Sequence, residues 1–317
     1  MSAAGQEKSA ASGKVLAGLC VLLVLLVKPV QDRVQARLGQ QSVVTDQLYF
    51  QSPAALQKMA LGYDGLLADI YWLRVIQYYG RREEAARRPV RYGNLATLLD
   101  ITTTLDPDLV DAYRAGSSFL SEPDPVGAGQ PREAIRLLDK GITRHPDEWR
   151  LWFDKGFVYF WALKDMKSAG NTWLAASRLA TAPAWMEGLA AMAYSKGGEL
   201  ETARALWQRQ YQESSRPDVR ENATNHLRSL QVAEDLWALE FVLDRYRRRT
   251  GAFPSGLDEL VRVGLLKFVP TDPLGTPYQY DREEGKVRLS PQTKVRYLEV
   301  PESYRETYLA RLTQLLK

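Results

Sequence analysis

Any histidine chemistry in this chain must use His145 or His226, the two imidazoles among 317 residues. A histidine base needs a nucleophile or a water held in line beside it, so its neighbours decide its role. His145 stands in a turn before Pro146, and His226 lies between Asn225 and Leu227 in a helical pattern; neither has a nucleophile motif nearby. A solvated or core-satisfied imidazole is expected at both. Turn carboxylates occur at Asp106-Pro107-Asp108 and Asp272-Pro273, where aspartate before proline signals a turn and no calcium-loop spacing follows. Cys20 is the single cysteine, which leaves no thiol pair for a disulfide and no Cys/His set for a metal. No Walker loop, G-x-S-x-G elbow or H-E-x-x-H sequence occurs. These observations predict no catalytic residue, no cofactor and no metal, so the working parts are expected to be surfaces.

An apolar fraction of 45% is ample for a core, and the length suits one large or two ordinary domains. The net charge of +4 comes from 42 basic against 38 acidic residues, a small excess that does not make a nucleic-acid binder. Most of the eight Trp and sixteen Tyr fall in helical patterns, where they can fill gaps between helices.

The elements that position those aromatics repeat. Pro107, Pro146, Pro183 and Pro217 fall 39, 37 and 34 residues apart. With these as unit ends, the first helix of each hairpin places a small residue at the same point: Gly116, Gly156 and Ala191. The second helix places Ala134, Ser168 and Ala203, each followed four residues later by Leu138, Thr172 or Trp207. A lone hairpin cannot bury its apolar face, so neighbours must stack, and small residues let them approach. The pattern resembles the tetratricopeptide repeat family. Its best unit, 184–217, carries Trp185, Ala191, Tyr194, Gly197-Gly198-Glu199, Ala203 and Trp207. The unit before keeps Trp152, Gly156, Tyr159 and Trp173, and the first keeps Gly116, Ala134 and Pro146 around an insertion at 122–130.

That resemblance implies a groove. In such arrays helix-A positions 2, 5, 9 and 12 line the concave face, which here means Val110, Tyr113, Ser117 and Leu120, then Arg150, Phe153, Phe157 and Phe160, then Trp185, Gly188, Met192 and Ser195. The groove so drawn is apolar and aromatic, suited to a partner peptide or amphipathic helix, and it lacks the Lys and Asn residues that clamp a C-terminal carboxylate in one subgroup. The other outcome weighed is that 53–79 or 301–317 fills it as core.

At the N-terminus a polar tail (1–14) leads to an anchor segment (15–30) and a juxtamembrane spacer (31–52). The uncharged run 15–27 is short for a hydrocarbon core of roughly 30 Å, but flanking Lys14 and Lys28 can snorkel. No small-x-small cleavage site follows, which favours an uncleaved signal anchor over a cleaved signal. The expected place is the inner or plasma membrane, single-pass, with the body outside the cytoplasm. Ser52-Pro53 then starts a helix towards Gly80, with Leu56, Met59, Tyr63, Leu67, Ile70 and Tyr71 as its apolar, core-facing stripe. Arg81, Arg82, Arg87, Arg88 and Arg91 read as a solvated loop or a contact for lipid headgroups. Arg245, Arg247, Arg248 and Arg249 suit the end of a long helix from 217.

From Gly251 the pattern changes to turns and strands. Ser255 and Asp258 read as a capping box for a helix over 256–263, closed by Gly264, and two extended runs follow at 278–281 and 286–290. Gly251, Pro254, Leu257, Leu260, Asp272, Pro273, Gly275, Pro277, Tyr278 and Tyr280 fit the G-x-x-P-x-x-L-x-x-L and D-P-x-G-x-P-Y-x-Y pattern. The segment 250–290 thus resembles the C-terminal part of type II secretion major pseudopilins. Those proteins carry it behind a long helix with a processing site and a Glu, which 15–27 lacks, so the chain is not itself such a subunit.

The expected architecture is mainly α: a tetratricopeptide-type helical-hairpin solenoid (53–250) with an N-terminal transmembrane or signal-anchor helix and a small α+β module (251–317) of helix, β-hairpin and last helix. The expected function is a membrane-anchored protein-interaction scaffold in envelope, secretion or pilus assembly. A stoichiometric component of a secretion- or pilus-type machine, using the pseudopilin-like tail, is the alternative, with an enzyme third.

Overall fold

The structure, a computed structural model, describes residues 28, 29, 33, 52–80 and 92–315. The expected polar tail, most of the anchor and spacer, and the arginine-rich stretch 81–91 lie outside the described residues. The chain divides into two units, Met1–Tyr49 and Phe50–Lys317, and all elements below belong to the second. Among the described residues no helix is long and apolar enough to cross a membrane.

The protein is mainly α, with antiparallel helices packed largely in sequence and a two-stranded sheet near the C-terminus. The helices are α1 (Pro53–Met59), α2 (Asp64–Tyr79), α3 (Leu95–Leu105), α4 (Val110–Ser121), α5 (Pro131–Arg144) and α6 (Trp149–Phe157). The last of these runs into a π-helical turn (Val158–Ala162), followed by α7 (Met166–Ala176), α8 (Met186–Lys196), α9 (Leu200–Glu213) and α10 (Pro217–Thr250). Local chemistry sets their ends. Ser52 Oγ accepts the Ala55 N–H at 3.3 Å and Asp165 accepts that of Ser168 at 2.9 Å, while Pro53, Pro131 and Pro217 begin helices where no N–H is needed. Gly251, at φ 83°, stops α10 after a basic last turn that complements its carbonyl end.

The expected single helix over 53–79 is broken. Leu61 and Gly62 adopt φ 50° and 89°, so α1 and α2 do not share one 3.6-residue register. Leu56 and Tyr71 of the expected stripe are buried, as are Ala68 and Val75, whereas Met59, Tyr63 and Ile70 are exposed. A left-handed kink turns the second helix about its axis relative to the first, which is why one periodic stripe drawn across both fails.

The small residues mark the close approaches between helices. A Cβ at Gly116 would stand 2.5 Å from Leu99 Cδ2 and 3.0 Å from Leu137 Cδ2, and one at Gly156 would overlap the Trp173 indole. Ala134, Ala191 and Ala203 are fully buried, with Leu138 and Trp207 beside them. The proline turns are tied to one another: His145 Nε2 donates to Pro107 O at 3.0 Å, Trp152 Nε1 donates to Pro146 O at 2.9 Å, and Thr181 Oγ1 donates to Asp147 O at 2.7 Å.

The C-terminal residues share a core with α10. Val232, Leu239 and Leu243 pack with Leu257 and Leu260 of α11 (Leu257–Arg262), and with Tyr278, Val287 and Val295. Strands β1 (Gln279–Asp281) and β2 (Lys286–Arg288) pair antiparallel with Tyr280 opposite Val287. The expected capping box of Ser255 and Asp258 does not form: the N-cap of α11 is Gly256, with no side-chain cap, and Ser255 N and Oγ instead donate to Glu259 Oε2 at 2.6 and 2.7 Å. In the turn before β1, Asp272 Oδ1 accepts the N–H groups of Leu274 and Thr276 at 2.8 and 2.9 Å, with Gly275 at φ 88°. Helix α12 (Ser303–Leu315) docks on α10, where Tyr304 and Tyr308 meet Trp237 at centroid distances of 6.1 and 6.0 Å.

Candidate functional site

Helices α4, α6, α8 and α10 are the alternate helices of the array, and two clefts open between neighbours among them. The first, about 480 Å³, lies between α4 and α6 with its π turn, and Phe153, Phe157, Val158 and Trp161 line one side. Arg114 and Asp154 pair at 2.8 Å among its lining residues. Burial raises the Asp154 pKa, and the hydrogen bond and charge of Arg114 oppose that rise. The second cleft, about 370 Å³, has Trp185, Gly188, Leu189 and Met192 on the α8 side, Gln210 of α9, and Val219, Asn222 and His226 of α10. Phe153 of the first and Trp185 of the second touch edge-on, 5.8 Å between centroids.

The eight groove residues expected from sequence therefore separate into three groups. Phe153 and Phe157 line the first cleft and Trp185 and Met192 the second. Tyr113, Leu120 and Phe160 are buried. Tyr113 is an inter-helix residue whose hydroxyl donates to Thr103 O and Pro107 O, both at 3.3 Å, and burial pushes its pKa up to about 12. Arg150 is exposed over the Trp149 ring, 5.0 Å from its centroid, and pairs with Glu148. Neither α2 nor α12 contributes a lining residue to either cleft.

Trp161 is the residue that sequence reasoning missed in the first cleft. The π turn, closed by Leu163 N–H on Val158 O at 3.1 Å, holds more residues per turn than an α-helix. Each residue after Val158 therefore advances by a smaller angle. Phe160 lies in the core, and Trp161 lies beside Phe157 at 6.1 Å. The four-residue spacing of Phe157 and Trp161 was a visible signal; the widened turn was not. In the second cleft Gln210 and Asn222 went unremarked, because amides in helices carry no motif.

Neither histidine has a catalytic arrangement. His145 ties two turns, as described above. His226 lies flat on Trp207 with centroids 4.3 Å apart and 3° between planes, and desolvation pushes its pKa down to about 4, so it is neutral near pH 7. Among the described residues no group of three or more His, Cys, Asp or Glu is placed to hold a metal ion.

Fold and clefts together define a mainly helical protein of packed antiparallel helices with grooves between alternate ones. No protein-family model matches the chain and no curated protein matches it, so no family is identified.

Proposed function

We propose that the protein is a membrane-anchored interaction scaffold of tetratricopeptide type, which binds a partner peptide or amphipathic helix in its inter-helix clefts. One observation carries the reading: Phe157 and Trp161 stand 48% and 56% exposed at the mouth of an apolar cleft. Large aromatic side chains held at a cleft by rigid helices are what a partner helix buries, and such anchors dominate interface energies. The close approaches at Gly116, Gly156 and Ala191 support the repeat reading, since these positions fit the repeat register. The uncharged run 15–27 supports attachment to the inner or plasma membrane with the body outside the cytoplasm, in envelope, secretion or pilus assembly.

A photo-crosslinking residue at 118, on the other wall of the same cleft, tests this in native membranes. A discrete crosslinked polypeptide, lost in the Phe157→Ala/Trp161→Ala double variant at unchanged melting temperature, is the expected result. Equal crosslinking in the double variant overturns it.

A second reading rests on the C-terminal region, where Val263, Phe268, Val269 and Leu274 are all exposed. Apolar side chains gathered in one short segment suit an assembly surface, in line with the pseudopilin-like pattern around them. Purification in a complex of fixed stoichiometry that depends on Phe268 favours this machine-component reading over the adaptor.

A further inference from the structure

Gln210 is an amide buried without a use inside the fold. The residue is 4% exposed, and among the described residues neither Oε1 nor Nε2 has a hydrogen-bond partner. Buried amides are almost always paired, because leaving both ends of the dipole unsolvated is costly. Gln210 lines the second cleft, and Gly188 is what leaves it open. A Cβ at Gly188 would stand 3.5 Å from Gln210 Oε1, 3.6 Å from Nε2 and 3.8 Å from Asn222 Nδ2. A methyl at residue 188 would therefore lie against both ends of the amide, which a hydrogen there does not.

The rest of the lining states what can enter. Trp185, Leu189, Met192 and Val219 make the walls apolar. Among the described residues no lysine or arginine lines the cleft, and the one carboxylate, Asp218, is already paired with Arg216 at 2.6 Å. The ligand is uncharged at this point, with apolar flanks and a donor and acceptor side by side. An extended peptide residue has this form: its own N–H and C=O lie on the same edge of the chain, as in the pairs of an antiparallel ladder, while side chains project to either flank.

We propose that the cleft between α8 and α10 is a subsite for the main chain of an extended, apolar peptide segment, with Gln210 Nε2 donating to the C=O and Oε1 accepting from the N–H of one residue. Asn222 stands beside it to take up a neighbouring backbone group. The site rests on the scaffold reading and specifies its ligand chemistry.

The probe is an acetylated, amidated leucine–alanine–leucine tripeptide, beside its analogue with the alanine nitrogen methylated, added to the full chain in nanodiscs and followed by saturation-transfer NMR. The unmethylated peptide should bind saturably and at least about tenfold more tightly than the analogue, a difference of about 1.4 kcal/mol. Gly188→Ala and Gln210→Leu should each weaken it by about tenfold or more. Neither variant should lower the melting temperature: alanine favours helix over glycine, and leucine removes an unpaired buried amide. No binding to the wild-type chain, equal binding of the methylated peptide, or unchanged binding in both variants overturns the proposal. So does a Gln210→Leu protein that melts lower, which would mark the amide as satisfied by an ordered water only. Crosslinking at residue 118 that persists when the peptide fails shows that the subsite alone is wrong; loss of both takes the scaffold reading with it.

Discussion

The two ends of α10 are held by different physics. Towards its start, Ala223, Leu230 and Ala233 pack with Trp207, Tyr194 and Ala203 in an apolar core. Towards its end, tyrosine hydrogen bonds join the attachment: Tyr278 donates to Asp235 at 2.8 Å and Tyr246 to Glu259 at 2.6 Å. The array joins through shape, with small residues admitting large ones. The C-terminal region has only short elements to bury, so directional polar bonds supplement a modest core. Volume changes should therefore damage the array most, and loss of single hydrogen bonds or of acid-sensitive groups should separate the two regions.

The largest effect is expected from Trp173→Ala, which empties the space over Gly156 and removes the indole donor to Phe153 O. A loss of about 3–5 kcal/mol is expected in chemical denaturation. A loss below about 1 kcal/mol would mean that the array is not joined through such contacts.

Tyr278→Phe keeps the ring but takes the donor from Asp235, whose pKa is already raised by burial. About 1–3 kcal/mol should be lost. Hydrogen exchange should accelerate in 257–295 and stay unchanged in α4–α8; acceleration spread evenly over both would erase the distinction drawn here.

Gly275→Val is a smaller, purely backbone test. Among the described residues nothing lies within 4 Å of a Cβ there, yet φ is 88°, so the cost is strain of about 1–3 kcal/mol. It should appear as faster proteolysis within 263–295 alone, and an unaltered cleavage pattern would show that the turn does not need the left-handed conformation.

Acid should open the array before the C-terminal region. His226 has a folded pKa near 4 against 6.5 unfolded, with desolvation as the cause. The unfolded chain therefore takes up the proton first, and stability falls as pH drops from 6.5 to about 4. Glu259 behaves in the usual carboxylate sense. The hydrogen bond from Tyr246, then those from Ser255, hold its pKa near 2 against 4.5, so its contribution persists until pH falls below 4.5 and fades towards 2. Hydrogen exchange measured between pH 6.5 and 4.5 should change around α9 and α10's first turns and not at 255–259. The reverse order would refute both assignments, and His226→Gln should remove the upper window.

Much of the fold was legible because the signals are local. Pro53 and Pro217 start helices and Gly251 stops one for reasons contained within a turn of chain. The alternation of Gly116, Gly156 and Ala191 with large partners marked the helix contacts, since only small residues permit such approach. The clefts were legible in part. Phe153, Phe157, Trp185 and Met192 line them, but Tyr113, Leu120 and Phe160 went to the core, because a position number along a helix does not say how far the neighbouring helix reaches over it.

Sequence alone determined that this protein is a succession of packed helices with a turn-rich C-terminal region, since helix ends, turns and periodicity depend on residues a few places apart. Tertiary structure decided the rest. The π turn over 158–162, the kink that split 53–79 and the pairing of Ser255 with Glu259 in place of Asp258 depend on small backbone rotations. The isolation of the Gln210 amide depends on where α8 and α10 lie across it. Those rotations and placements come from contacts between residues far apart in the chain, which no local pattern encodes.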